Sequence, residues 1–152
     1  MTTFFTSDHH FGHSRIIELC ARPFKSLTEM HEAFIRNWND VVGLDDVIWH
    51  GGEFATVDSE PGEASAIFHR LNGTKHLIAG NHDQRTTKRL PWETVSETGL
   101  VDTEDGLVYV CHYPMLTWPL ARKDVLHLYG HLHGEWLGTA KSAEVGVCAW
   151  GY

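Results

Sequence analysis

Five short apolar segments of this chain each end in residues that can bind a metal ion or transfer a proton. The residues at these ends are Asp8-His9-His10, Gly52-Glu53, Gly80-Asn81-His82-Asp83, His112 and Gly130-His131-Leu132-His133. If the segments are strands that enter a sheet in the same sense, their ends meet at one edge, where open α/β sheets bind ligands. Imidazole, carboxylate and amide groups gathered there would form a coordination sphere for one or two divalent cations.

The most specific cluster is the block Gly80-Asn81-His82-Asp83. Glycine permits a tight turn where a strand ends, and the amide oxygen of Asn81 can ligate a metal. His82 can act as an acid, while Asp83 can orient its imidazole ring and keep it charged. The block therefore predicts a metal ligand next to a catalytic pair.

Two further pairs, Asp8 with His10 and His131 with His133, have one residue between their members. Because side chains alternate in extended backbone, we expect each pair to point to one side of its segment. Such a pair arises often by chance, so its weight comes from its place at the end of an apolar segment.

The elements that must position these clusters alternate between strand and helix in the first half of the chain. Strands are predicted at residues 2–6, 46–49 and 75–79, and helices at 14–20, 28–41 and 62–71. This alternation implies right-handed crossovers and a mainly parallel sheet. Predicted strands at 94–97, 107–111, 125–129 and 144–148 would form a second sheet. The expected fold is α/β, a two-sheet β-sandwich flanked by helices on both outer faces in four αββα layers.

Composition restricts the class of protein. The 152 residues suit one domain, residues 1–152, and the 42% hydrophobic and 21% charged fractions are typical of soluble globular proteins. No apolar stretch is long enough to span a membrane, and the first residues lack a secretory signal. Three cysteines without a CxxC pair favour a reducing, cytoplasmic setting. A net charge of −8 argues against tight non-specific binding of nucleic acid.

In their order, the clusters resemble the motifs of the calcineurin-like metallophosphoesterases. The resemblance runs from residue 2 to about residue 148 and is most specific at Gly80-Asn81-His82-Asp83 and Gly130-His131-Leu132-His133. The start, Ser7-Asp8-His9-His10-Phe11-Gly12-His13, is similar to small bacterial and phage members. The family fold is a two-sheet sandwich flanked by helices, in agreement with the predicted elements.

The resemblance implies two metal ions and assigns their ligands. Asp8, His10 and His133 would hold the first metal, and Asn81, His112 and His131 the second. Glu53 occupies the bridging position, and His82 matches the catalytic histidine of the family. Mn²⁺ is the expected cation, with Fe²⁺, Ni²⁺, Co²⁺ or Zn²⁺ as alternatives, because imidazole-rich ligands disfavour a purely Mg²⁺ site.

These assignments predict a hydrolase acting on phosphoric ester bonds. Two divalent cations contribute +4 and the carboxylates of Asp8 and Glu53 −2, so the site would attract a phosphate despite the negative chain. A hydroxide held by both metals would attack phosphorus in line, with His82 stabilising charge or protonating the leaving oxygen. The expected substrate is a small phosphodiester or phosphomonoester, such as a nucleotide or an RNA-end phosphate, and Arg15, Arg22 and Arg122 are candidates for gripping it.

Glu53 departs from the family, in which the bridging residue is usually aspartate. Its extra methylene lengthens the side chain by roughly 1.5 Å, whereas metal sites tolerate only a few tenths of an ångström. Gly51 could compensate by allowing unusual dihedrals, so that the loop steps back. Otherwise the protein is a weakened or single-metal relative, a metal- or phosphate-binding module without catalysis. Cys148 stands where close relatives would carry an aspartate.

The compensation by Gly51 can be tested through activity. If it operates, Glu53→Asp keeps or raises phosphoesterase activity because the usual ligand is restored, whereas Gly51→Leu lowers it. Steady-state rates on a chromogenic phosphodiester measure both effects, and the reverse ranking of the two variants would contradict the compensation.

Overall fold

The fold consists of two sheets, seen in a computed structural model that describes residues 1–56, 60 and 62–152. The first sheet has four parallel strands in the order β1-β2-β3-β4. Its strands are β1 (Thr3–Thr6), β2 (Val47–His50), β3 (Thr74–Ile78) and β4 (Thr94–Ser96). The parallel arrangement carries the ends of β1, β2 and β3 to the same edge, as the sequence predicted.

The second sheet has five strands in the order β5-β6-β7-β9-β8. They are β5 (Thr98–Thr103), β6 (Gly106–Cys111), β7 (Leu126–Tyr129), β8 (Gly138–Thr139) and β9 (Ser142–Glu144). Strands β5 and β6 form an antiparallel hairpin, whereas β6, β7 and β9 are parallel. The ends of β6 and β7 therefore lie side by side, as the ends of the first three strands do.

In the part of the chain that the structure describes, five α-helices accompany the sheets, and three of them are single turns. They are α1 (Ile16–Leu19), α2 (Leu27–Val41), α3 (Glu63–Arg70), α4 (Arg85–Lys88) and α5 (Val147–Trp150). In the described part of the chain, no helix has the length and apolar character needed to cross a membrane.

Side-chain alternation along the strands of the first sheet separates two apolar cores. Ile48 and Leu77 pack with Met30 and Phe34 of α2 and with residues of α3, which cover one face. The next residues along β2 and β3, which are Trp49 and Ile78, turn to the opposite face. There they meet the second sheet through a cluster that includes Val101, Val108, Val110 and Leu128. The two sheets thus pack face to face, which confirms the predicted α/β two-sheet arrangement.

The outer face of the second sheet differs from the expected helical layer. Tyr109 and Cys111 point outwards from β6 and are covered by Met115, Trp118 and Val125 of the β6–β7 connection. That connection contains one 3-10 turn, Ala121–Lys123. Two prolines, Pro114 and Pro119, lie in it, and proline interrupts helical hydrogen bonding. The fourth layer of the predicted αββα fold is therefore a loop.

Three strand predictions also need correction. The strand predicted at 94–97 is β4, which pairs with β3 in the first sheet rather than in the second. The strand predicted at 144–148 ends at Glu144, and α5 begins at Val147 after the extended residue Gly146. The sequence does not predict the hairpin strand β5, because its two large apolar residues, Leu100 and Val101, are adjacent and give no alternating signal.

The start of α2 illustrates how local chemistry places a boundary. Thr28 was predicted to begin this helix, but Ser26 is the N-cap, and its hydroxyl oxygen accepts a hydrogen bond from the Glu29 backbone N–H at 3.1 Å. The Glu29 carboxylate in turn accepts from the Lys25 N–H at 2.7 Å. These bonds satisfy the Glu29 amide, which the helix itself leaves without a partner, and tie the preceding residue Lys25 to the first turn.

This cap predicts a difference between two neighbouring hydroxyl residues. Ser26→Ala should lower the free energy of unfolding by about 1 kcal/mol, because it removes the capping acceptor. Thr28→Ala, at an exposed position inside α2, should change it by less than about 0.5 kcal/mol. Urea denaturation followed by circular dichroism measures both values, and equal losses in the two variants would contradict the cap.

Candidate metal centre

The strand ends of both sheets bring six of the seven predicted ligands into two adjoining clusters. Asp8, His10, Glu53 and His133 each offer a ligand atom within 4.8 Å of the others, and Glu53, His112 and His131 form a second such group. Three of the loops that carry predicted ligands follow β1, β2 and β3 of the first sheet, and two follow β6 and β7 of the second. The site is therefore built where the edges of the two sheets meet.

Glu53 belongs to both clusters. One carboxylate oxygen, Oε2, lies 2.6 Å from His10 Nε2 and 3.8 Å from His133 Nε2. The other, Oε1, lies 3.3 Å from His112 Nε2. A carboxylate with one oxygen towards each cluster has the disposition of a bridging ligand, and the extra methylene of glutamate does not prevent that disposition.

The buried His112 ring shows which of its nitrogens is available for coordination. Its Nδ1 lies 2.8 Å from the carbonyl oxygen of Gly51, which can only accept, so Nδ1 carries the proton. Nε2 therefore faces Glu53; burial lowers the pKa of His112, but the contact with Glu53 outweighs it and raises the pKa, so Nε2 holds either a proton or a cation there. Among the described residues, no hydrogen bond satisfies His112 Nε2, His10 Nε2 or Glu53 Oε1, although all three atoms are buried. Such a donor set fits a divalent cation.

Asp8 is held by its surroundings before any metal binds. Its carboxylate accepts hydrogen bonds from the Ser7 hydroxyl at 2.5 Å and from the His131 backbone N–H at 3.1 Å. Burial raises the pKa of Asp8 to about 6. For Glu53, burial also favours the neutral acid, but the contacts with His10 and His112 outweigh it and hold the pKa well below its ordinary value. The second carboxylate is thus ionised at neutral pH.

The backbone at the ligands is unusual. Nine described non-glycine residues have positive φ, and five of them are predicted ligands with φ between 52° and 76°, namely Asp8, His10, Glu53, His131 and His133. The expectation that Asp8-x-His10 and His131-x-His133 are extended is therefore wrong. The left-handed conformation is costly for residues with a side chain, and such strain concentrates at functional sites.

The loop carrying Glu53 depends on Gly52 rather than on Gly51. Gly52 has φ +104°, whereas Gly51 lies outside the left-handed region. A Cβ at Gly52 would lie 2.6 Å from His112 Nδ1 and 2.7 Å from the Gly80 nitrogen, so the backbone approaches both closely. A side chain at Gly51 would instead be crowded by Ser7, with a Cβ–Cβ distance of 3.2 Å.

Asn81 lies at the open side of the second cluster. It is exposed, and its Oδ1 accepts a hydrogen bond from the Tyr113 hydroxyl at 3.3 Å. The Tyr113 ring packs edge to face against His131 and His112, with centroid distances of 4.9 and 5.0 Å. Asn81 is therefore linked through Tyr113 to the two imidazoles of the second cluster, a contact that the sequence does not indicate.

His82 and Asp83 differ in exposure and in the groups they contact. The His82 side chain is 60% exposed at the mouth of the site, with Nε2 3.8 Å from Glu53 Oε1. Asp83 is buried and accepts hydrogen bonds from the backbone N–H groups of Glu53, Phe54 and Gly80 at 2.7, 3.0 and 2.8 Å. Asp83 thus fixes the Glu53 loop, which corrects the expectation that it orients the His82 ring.

Two buried groups that support the site were not identified as such from the sequence. Arg22 was a candidate for gripping phosphate, but it is 4% exposed and donates to the backbone carbonyls of Asp8 and His9 at 2.6 and 2.8 Å. Glu144, at the end of β9, accepts from the Gly134 N–H at 2.9 Å and so holds the loop that carries His133. Burial raises the pKa of Glu144 to about 7. Neither residue is near a ligand in sequence, so spacing gave no signal.

These observations define the protein as an α/β two-sheet protein with a candidate metal centre at the edge of its sheets. Comparison with known sequences identifies the family. The Gene 66 protein of Mycobacterium phage L5 is 38% identical over a 188-residue alignment that covers 98% of this chain and 87% of the phage protein. The chain therefore belongs to the family of that phage protein. No family profile matches the chain.

Other similarities are partial or structural. Uncharacterized protein MJ1445 of Methanocaldococcus jannaschii is 38% identical over 78 residues, which are 51% of this chain and only 44% of that protein. Protein AQ665 of Aquifex aeolicus, a protein of unknown function, superimposes with a TM-score of 0.77 at 23% identity, over 96% of this chain and 90% of that one. This likeness shows a shared fold. Yfce, a phosphoesterase from E. coli, reaches a TM-score of 0.49 at 17% identity over 96% and 78% of the two chains, too low to support an inference.

Gly52 generates a prediction with a matched control. Gly52→Ala should lower the free energy of unfolding by about 3 kcal/mol, because the methyl group meets buried backbone and ring atoms and the dihedral strain alone costs about 1–3 kcal/mol. Gly62→Ala has a similar positive φ of +85° but no described atom within 4 Å of the added Cβ, so only about 1 kcal/mol of strain is expected. Urea denaturation compares the two, and an equal cost would show that close approach at Gly52 is unimportant.

Proposed function

We propose that this protein is a metal-dependent phosphoesterase of the calcineurin-like class, which hydrolyses a small phosphodiester or phosphomonoester. The observation that carries the proposal is the shared position of Glu53, with one carboxylate oxygen towards His10 and the other towards His112. Two clusters joined by one carboxylate are the arrangement that a dinuclear centre requires, because two-metal sites hold their ions about 3.5–4 Å apart.

The residues divide into two ligand sets. Asp8, His10 and His133 would hold one cation and His112, His131 and Asn81 the other, with Glu53 between them. When bound, two divalent cations would leave the site about +2 after the two carboxylates are counted, draw in phosphate oxygens and lower the pKa of water towards neutrality. Imidazole-rich ligands favour Mn²⁺ or a later transition metal over Mg²⁺.

The exposure of the site residues supports one direction of substrate approach. Asp8, His10, Glu53 and His112 are buried, whereas Asn81 and His82 are exposed. A phosphate ester entering from the Asn81 and His82 side meets the site with its leaving group near solvent. His82 is then placed to donate a proton to the leaving oxygen or to stabilise charge on the phosphoryl group.

Asp83 and Gly52 contribute by positioning. Asp83 binds the backbone amides of both the Glu53 loop and Gly80, so it fixes the bridging carboxylate relative to the segment that carries His82. Gly52 lets that loop pass within close contact of His112. Neither residue needs to touch the substrate, yet a displacement of about 1 Å in either loop would disturb the geometry on which the reaction depends.

The test measures metal content and turnover on the same samples. After loading with Mn²⁺, the protein should hold about two metals per chain and hydrolyse bis(p-nitrophenyl) phosphate or p-nitrophenyl phosphate. His82→Ala should lower kcat by 10²–10⁴-fold, the range of general acid–base catalysis, while the metal content stays the same. His69→Ala, an exposed histidine of α3, is the matched control and should retain full activity.

Two outcomes would overturn the proposal. One is about one metal per chain with no turnover on either ester, which would indicate a binding module in place of an enzyme. The other is equal activity of His82→Ala and His69→Ala at full metal content, which would remove the assigned role of His82.

A further inference from the structure

A second group of metal-type side chains adjoins the candidate centre. Cys20, Cys148 and His133 each offer a ligand atom within 4.8 Å of the other two. Cys20 directly follows α1 and Cys148 lies in α5, so three separate parts of the chain meet at this point. Both cysteines are free thiols and are partly accessible.

The His133 ring has different neighbours at its two nitrogens. Nε2 lies 3.8 Å from Glu53 Oε2, on the side of the carboxylate and imidazole cluster. Nδ1 lies 3.6 Å from Cys148 Sγ, on the side of the two thiols. Imidazoles that bind metal normally donate the second ring N–H to a carboxylate, a carbonyl or water. A pair of thiols in that place offers soft donors for a cation instead.

We propose that Cys20, Cys148 and His133 Nδ1 form a separate binding site for a thiophilic divalent cation, with Zn²⁺ as the expected ion. A tetrahedral zinc ion about 2.3 Å from sulfur and about 2.0–2.1 Å from nitrogen separates these two donors by roughly 3.5 Å. The 3.6 Å between Cys148 Sγ and His133 Nδ1 matches that separation. Three protein ligands leave a fourth position for water.

Ligand chemistry separates this site from the first one. Asp8, His10 and Glu53 offer hard or borderline donors, which suit Mn²⁺, whereas two thiolates select Zn²⁺ and similar ions. Two thiolates and one divalent cation are neutral together, so the site adds no net charge beside the carboxylate cluster. Neutral His133 has one ring lone pair and can serve either site; to bind both cations at once through Nε2 and Nδ1 it must release its ring proton to solvent.

A cation held here would tie three segments together. The end of α1, the loop after β7 and α5 lie in separate parts of the sequence. A metal bound to one residue of each would restrain their relative positions. Because the unfolded chain does not preform this site, binding would raise the stability of the folded state.

Cobalt provides a spectroscopic test, since Zn²⁺ itself is silent. Reduced, metal-free, full-length protein is titrated with Co²⁺, and the thiolate-to-cobalt charge-transfer band is recorded. We expect the band to saturate at one cobalt per chain in thiolate coordination and to disappear when Zn²⁺ is added. The carboxylate and imidazole cluster produces no such band, so the readout is independent of metal binding there and of phosphoesterase activity.

Three cysteine variants complete the test. Cys20→Ala and Cys148→Ala should each reduce the band at least tenfold, whereas Cys111→Ala, which removes a buried thiol of β6 packed near Tyr109, should retain it. No band in the reduced wild-type protein would overturn the proposal. So would a band that survives in Cys20→Ala or Cys148→Ala, a loss of the band in Cys111→Ala, or the formation of a Cys20–Cys148 disulfide in protein that binds no cobalt through sulfur.

Discussion

The buried carboxylate of Glu53 is the group around which the two halves of this molecule are organised. An ionised carboxylate removed from water must be compensated by positive charge or by hydrogen bonds. Here its oxygens face imidazoles contributed by both sheets, His10 and His133 on one side and His112 on the other. Without those partners the charge would be unstable in the interior. The stability of the Glu53 charge therefore depends on the packing of the two sheets against each other, because each sheet contributes imidazoles to it.

The backbone shows what this arrangement costs. Five predicted ligands adopt the left-handed conformation, and each such residue carries strain that the rest of the fold must offset. Buried hydrogen bonds offset this strain. Asp83 accepts hydrogen bonds from three backbone N–H groups, and Arg22 donates to two backbone carbonyls of the Asp8 loop. These contacts hold the loops in a conformation that the chain would not adopt locally. The ligands are therefore preorganised by residues that do not themselves point into the site.

The sequence predicted the parts of this structure that depend on local pattern. The strands β1, β2 and β3 were located to within one residue, because short apolar runs bounded by glycine and polar residues are strong signals. The candidate ligands were also identified from residue type and position. Several features could not be predicted: the left-handed conformation of the ligands, the dependence of the Glu53 loop on Gly52 rather than on Gly51, and the support from Arg22 and Glu144. These depend on contacts between distant segments, which leave no periodic trace.

The residues of the site are widely separated along the chain. Asp8 lies near one end, and His131 donates its backbone N–H to the Asp8 carboxylate across 123 positions. No short stretch of the unfolded chain can therefore imitate the assembled pocket, and a cation that needs ligands from both sheets would bind the folded molecule in preference to the unfolded chain. Tight binding of such a cation would therefore stabilise the state in which the two sheets are packed against each other.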